Sequence, residues 1–211
     1  MDRMAEPPLP RREAKKEDKR RRITAAAGEL FRAHGFEATT TRAIAERAGI
    51  ATGTLFLYVR DKDEALALVY GADVDAALQG IRRSRRRSFT AALVDRLRGL
   101  FELYARHPEL SLRYVRRIPT FEDAERSEHE ARNARFVAVI REEVERAVAR
   151  GELRSDLDVG LAVRTLFAVI RVLVFSWLAA PPVRVEAGLR DLGATLALLV
   201  AGLGEPTLRR A

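Results

Sequence analysis

From Ile23 onward, apolar residues return at intervals of three and four: Ile23, Ala27, Leu30 and Phe31, then Leu66, Val69, Val74 and Leu78, then Leu93, Leu97, Leu100, Phe101 and Tyr104. That period puts each set on one face of a helix. Turn or stop chemistry interrupts it at His34-Gly35, Ala48-Gly49, Arg60-Asp61, Arg83 to Ser88, His107-Pro108, Ile118-Pro119, Arg150-Gly151 and Pro181-Pro182. No stretch alternates with period two between turn signals, and no internal repeat is visible. The pattern predicts an all-α fold of about nine helices.

The helices differ in kind along the chain. Up to the region of residues 60–85 they are short and rich in threonine, and beyond it they are longer and more apolar. Four segments follow: a basic arm over 1–19, a short-helix domain over 20–66, a larger helical domain over 67–204 and a tail over 205–211. Residues 1–22 hold Pro7, Pro8 and Pro10 and then a charge run with no large apolar residue after Leu9. Nothing there offsets the entropy of ordering, so the arm is expected to be disordered. It lacks the apolar region of a signal peptide. The apolar stretch Thr165 to Ala180 is interrupted by Arg171 and falls short of the roughly 20 residues of a spanning helix, so no membrane partner is expected.

Composition narrows the chemistry. The chain has 211 residues, 47% hydrophobic and 32% charged, which suits a globular protein with a buried core. It has no cysteine, which excludes disulfide scaffolds, thiolate metal sites and cysteine nucleophiles, and is compatible with a reducing cytoplasm. A formal charge of +8 favours an anionic partner. The arginine bias weakens that inference, because only Lys15, Lys16, Lys19 and Lys62 are lysines and a GC-rich coding sequence gives the same excess.

The informative segment runs from Thr39 to Val59. Thr40 or Thr41 can cap a first short helix, Ile44 and Ala48 supply its buried face, and small Ala45 lets a second helix cross closely. Gly49 provides the turn, and Ile50 and Leu55 plug the inside of the angle. This spacing fits a helix-turn-helix, with Thr52 to Tyr58 as the segment that enters the major groove. Other tight helical corners share it.

Ile23-Thr24-Ala25-Ala26-Ala27-Gly28-Glu29-Leu30-Phe31, His34-Gly35-Phe36, then Thr-Thr-Arg-x-Ile-Ala-x-x-Ala-Gly-Ile, Gly-Thr-Leu-Phe-x-Tyr-Val and Asp-Lys-Asp-Glu-Ala-Leu together resemble the DNA-binding domain of TetR-type transcriptional regulators over about residues 20–70. The resemblance implies a three-helix DNA-binding domain joined through a fourth helix to a divergent ligand-binding and dimerisation domain. It implies a double-stranded DNA operator, a small-molecule effector, a homodimer, a cytoplasmic location and no cofactor. It places Thr41 and Arg42 at phosphates, Thr52, Gly53, Thr54 and Leu57 at base edges, and Phe56, Tyr58 and Lys62 on the backbone. Arg22, at the end of the arm, either reaches DNA or belongs to a solubilising tail. The chain departs from the family at Phe56, where tyrosine is commoner, and at Ala51, where a capping serine is usual. Thr52 and Leu57 suit contact with thymine methyl groups, and the alternative is that Phe56 and Leu57 simply pack inward or meet solvent.

In the larger domain, Phe101, Tyr104, Tyr114, Phe136, Phe167 and Phe175 come from different helices and are candidates to line an effector pocket, with plain core as the alternative. Arg171 interrupts the apolar segment Leu157 to Leu178, which the pattern expects to be buried on most sides. It either anchors an anionic effector, pairs with an acid across a dimer, or snorkels to solvent. The stripe Val185, Leu189, Leu192, Leu196, Leu199, Leu203 suits the two-fold helical bundle that the resemblance implies, with Leu161, Trp177, Leu189, Leu192, Leu196 and Leu199 as its candidate interface residues. An enzyme is not expected. The three histidines, His34, His107 and His129, lie in separate segments, and no metal pair, nucleophile elbow or phosphate loop is present. The leading expectation is a ligand-released repressor, and the alternatives are an activator or an interaction protein on the same scaffold.

Overall fold

The computed structural model describes residues 11–203. These contain nine α-helices: α1 (Arg11–Ala38), α2 (Thr41–Arg47), α3 (Thr52–Leu55), α4 (Lys62–Gly80), α5 (Phe89–Arg106), α6 (Pro108–Arg117), α7 (Asp123–Ala149), α8 (Val159–Leu178) and α9 (Val185–Leu203). A single 3-10 turn, Ile118–Thr120, follows α6, and no strand occurs among the described residues. The all-α expectation holds. The chain divides into two compact units, Met1–Ala72 and Asp73–Ala211. The division falls later than residue 66 because α4 is one uninterrupted helix across the expected boundary.

In the first unit, Ile23, Ala26, Ala27 and Phe31 of α1 pack with Ile44, Ala45, Leu55, Leu66 and Val69, all buried. The Phe31 and Phe36 rings stack at 5.5 Å across the break at Gly35, whose φ is +78°. The arm is corrected here. From Arg11 onward it is helix, continuous with α1 and largely exposed. The costly step in helix formation is the first turn, and the packed segment from Ile23 supplies it. Residues 11–22 then add strong helix formers, Arg, Lys, Glu and Ala, to an existing end, with Arg21 paired to Asp18 at 2.7 Å. Residues 1–10 and the tail over 205–211 lie outside the described residues.

In the second unit, α5 packs along α9 and α7 along α8. Its core holds Phe89, Leu93, Leu97, Phe101, Ile140, Val144, Leu166, Ile170, Leu192 and Leu196. Ser88 and Asp158 cap α5 and α8 by accepting from Ala91 N and Leu161 N. One ionic cluster is buried among these apolar side chains. Arg96 of α5 donates to Glu143 (2.6 Å) and Glu142 (2.7 Å) of α7, and Arg146 donates to both carboxylates. The run Arg82 to Arg87 is an exposed connection between α4 and α5, with Arg82 donating to the Gln79 carbonyl.

Candidate functional site

The turn of the first unit is built from backbone hydrogen bonds. Thr40 caps α2 by accepting from Ala43 N at 3.1 Å. At the other end, Gly49 N donates to Glu46 O and Ile50 N to Ala45 O, both at 3.0 Å, a Schellman closure that requires the left-handed φ of +64° found at Gly49. Arg22 of α1 reaches the same corner, donating from Nη2 to the carbonyls of Ala48 (2.5 Å) and Gly49 (2.9 Å). A Cβ on Gly49 would meet that nitrogen at 2.7 Å.

Beyond the turn, α3 is a single turn of helix. Ala51 offers no side-chain cap to it. The chain then continues in tight turns, with Leu57 N donating to Thr54 O and Tyr58 N to Leu55 O. Leu55 and Val59 face inward, while Gly53, Phe56 (49% exposed) and Leu57 (80% exposed) face solvent. Nothing lies within 4 Å of where a Gly53 Cβ would stand.

The second unit has a partly open cavity of about 80 Å³ between α4, α5, α6, α7 and α8. Its walls are Val74, Leu78, Leu100, Val115, Ile118, Ile170 and Val174, with the rings of Tyr104, Tyr114, Phe136 and Phe167. Its polar groups are His129, Arg132, Asn133 and Arg171. Arg132 is neutralised, donating to Asp75 and Glu128 at 3.2 Å each. Arg171 forms no ion pair among the described residues and stands over the Phe167 ring at 5.5 Å. Both His129 ring nitrogens are buried without a hydrogen-bond partner, and the ring meets Phe121 edge-on at 5.4 Å. Burial, then the charges of Arg171 and Arg132, hold His129 down to about 4, so it is neutral. Burial pushes the Tyr114 phenol up to about 12, so it remains a donor.

Residues 23–68 match the family of bacterial regulatory proteins described as tetR. Thermus thermophilus FadR, a TetR-family transcriptional repressor solved with lauroyl-CoA, is 29% identical, with a TM-score of 0.66 over 91% of this chain and 97% of that one. The chain carries the N-terminal domain of the tetR family over residues 23–68. A TetR transcriptional regulator from Rhodococcus sp. RHA1 has the same fold (TM-score 0.67, 20% identity, 90% and 98% covered). So does a Bacillus subtilis FadR solved with stearoyl-CoA (0.63, 20%, 86% and 98%). No curated protein sequence matches.

The residues expected at DNA divide into two groups. Thr52, Gly53, Thr54, Phe56, Leu57 and Tyr58 share one short exposed or half-exposed segment. Arg22 and Lys62 are corrected. The Arg22 guanidinium is spent on the turn, and Lys62 Nζ donates to the Phe36 (2.7 Å) and Glu37 (3.3 Å) carbonyls while lying over the Phe36 ring at 4.2 Å. Both cations satisfy carbonyls that helix ends leave open, a need that a residue count does not display. Arg42 is exposed and donates to Glu46 at 2.9 Å, one turn on, while Thr41 is half-buried.

Of the expected pocket residues, Tyr104, Tyr114, Phe136, Phe167 and Arg171 line the cavity. Phe101 and Phe175 do not. Phe101 packs on Trp177 at 4.9 Å, and both rings close over Gly188, where a Cβ would meet them at 2.9 Å. Phe175 is exposed. His129, Arg132 and Asn133 line the cavity as well, beyond the expected set. Their spacing on α7 is the available signal, since positions 129, 132, 133 and 136 share one helical face.

The expected interface is corrected as well. Leu189, Leu192 and Leu196 are buried in the protomer, and Trp177 is half-buried, donating from Nε1 to Arg184 O. The exposed apolar side chains are Leu161, Val172 and Phe175 of α8 and Leu198 of α9, with Leu199 half-buried. α8 is therefore buried on one face only. It is also 20 residues long and apolar enough to cross a membrane, but Ala162, Val163, Leu166, Ile170, Val174 and Leu178 sit in the core of the second unit.

Proposed function

We propose that this protein is a homodimeric, cytoplasmic TetR-family repressor of transcription that leaves a near-palindromic operator when a small molecule fills the cavity of its second unit. The observation that carries the reading is the outward segment Thr52 to Tyr58. A stapled helix-turn-helix presents a side-chain-free Gly53 and two large apolar side chains, Phe56 and Leu57, to solvent. Water disfavours that exposure, and the base edges and thymine methyls of a major groove would cover it. Thr41 and Arg42 then meet phosphate, which fixes register.

A second copy of the chain is the natural cover for the exposed face of α8. Leu161, Ala168, Val172 and Phe175 recur at coiled-coil spacing there, and Leu161 and Leu198 line one groove. Two-fold pairing of these helices would set two reading segments on successive major grooves about 34–36 Å apart. Val172→Asp would then yield monomers in sedimentation.

The relatives solved with lauroyl-CoA and stearoyl-CoA favour an effector with a long apolar part. The cavity is smaller than the ~150 Å³ that holds benzene in an engineered core, so a ligand must push its lining helices apart. A ligand that stabilises the expanded form shifts the DNA-binding equilibrium, with a coupling of about 1–3 kcal/mol.

Selection of the purified protein against random duplex DNA at about 0.15 M salt tests the reading. Enrichment of an inverted repeat, released by lauroyl-CoA, is the expected result. Enrichment of no sequence by folded dimer would overturn it.

A further inference from the structure

The cavity's polar groups are unevenly matched. Arg132 faces two carboxylates, and Tyr114 hydrogen-bonds with Arg132. Arg171, His129 and the half-buried, uncharged Asn133 remain, and the first two carry the mismatch. Arg171 is exposed at the cavity's edge and forms no ion pair among the described residues, although surface arginines elsewhere in the unit find acids readily, as Arg98 does with Glu186 and Arg135 with Asp75. His129 has a donor and an acceptor nitrogen, both shielded from solvent and both unused. An unpaired buried polar group is costly and rare, and groups left so beside a cavity mark what the cavity is shaped to receive. The Asp75, Glu128, Arg132, Arg135 and Arg171 set carries one positive charge in excess, and it sits on Arg171. The remaining walls are aliphatic and aromatic.

Taking the cavity to be the effector site of the preceding section, we propose that Arg171 and His129 form its head-group corner, receiving the carboxylate of a ligand whose remainder is an apolar chain. Arg171 balances the charge and His129 donates a hydrogen bond to one carboxylate oxygen. The aromatic walls take the chain. An alcohol of the same length would leave Arg171 unmatched, and an amine would repel it.

The test uses the full chain and calorimetric titration at pH 7.5 with decanoate, 1-decanol and decylamine. Decanoate binds most tightly. Arg171→Gln weakens decanoate by about 10–100-fold, the range of a charged hydrogen bond, leaves decanol unchanged, and is partly rescued by Arg171→Lys. Arg171 is exposed, so the variant folds, which its melting curve verifies. Equal binding of decanol and decanoate, or decanoate binding untouched by Arg171→Gln, would overturn the proposal. So would lauroyl-CoA releasing operator DNA from protein that does not bind decanoate, an outcome that leaves the repressor reading intact. Arg171-dependent decanoate binding with no effect on DNA would uphold the corner and remove the release step.

Discussion

The Arg22 guanidinium of α1 is hydrogen-bonded to the Ala48 and Gly49 carbonyls at the end of α2, directly over the position a Gly49 side chain would occupy. One contact thus couples the first helix to the angle of the turn. Arg22→Ala should cost about 1 kcal/mol in urea unfolding, the net value of an ordinary hydrogen bond. Gly49→Ala should cost about 1–3 kcal/mol, because it combines a left-handed φ with displacement of Arg22. The double variant should cost less than the sum, since the new methyl already removes the Arg22 contact. Strict additivity would mean that Arg22 does not hold the turn.

Gly53 makes the opposite case. Its φ is not left-handed, it is exposed, and no atom lies near its missing side chain. Nothing in the folded chain requires a glycine there. Gly53→Ala should therefore raise stability by about 0.5–1 kcal/mol through reduced backbone entropy. If the DNA backbone or a base edge approaches that position, the same change should weaken operator binding at least tenfold in a gel-shift titration. Stabilisation without loss of binding would remove Gly53 from the interface.

The helices were legible because their apolar period is regular and their breaks carry glycine, proline or capping residues. The turn was legible for the same reason, since Gly49, Ile50 and Leu55 each have one physical task. What a helical stripe cannot reveal is which neighbour it faces. Leu189, Leu192 and Leu196 form a clean stripe that serves α5 and α8 inside the protomer, whereas Leu161, Val172 and Phe175 lie exposed on a helix so apolar that no single stripe stands out. The roles of Arg22 and Lys62 depend on carbonyls left open at distant helix ends, and such partners are fixed only by tertiary approach.

Arg96 was also unreadable as a buried ion. It lies in the apolar face of α5 between Leu93 and Leu97, and its partners Glu142 and Glu143 are 46 and 47 residues away. Glu143 is 1% exposed, so Glu143→Leu, which leaves Arg96 with Glu142 as its one remaining carboxylate, should cost about 1–3 kcal/mol. Replacing both partners, Arg96→Met with Glu143→Leu, should restore most of that loss in chemical unfolding. A double variant as unstable as the single one would show that the shape of the ion pair, rather than its charge balance, holds α5 to α7.

His129 gives the fold a pH dependence whose sign follows from its surroundings. Its folded value lies at about 4, below the ordinary 6.5, because burial and the charges of Arg171 and Arg132 disfavour the imidazolium. Above pH 6.5 neither folded nor unfolded chain binds this proton, and stability is level. Between 6.5 and 4 the unfolded chain binds it and the folded one does not, so stability falls as pH drops. Glu142 also has a lowered value, chiefly through its hydrogen bond from Arg96, but its loss begins lower, near the ordinary carboxylate range. The window from pH 6.5 to 5 therefore isolates the histidine. Thermal unfolding of the wild type should show a falling midpoint across that window, and His129→Leu should flatten the fall. Decanoate held in the corner would favour the imidazolium and raise the bound value, so the ligand should protect the wild type more at pH 5.5 than at pH 7.5. Equal protection at the two values would mean that the carboxylate does not reach His129.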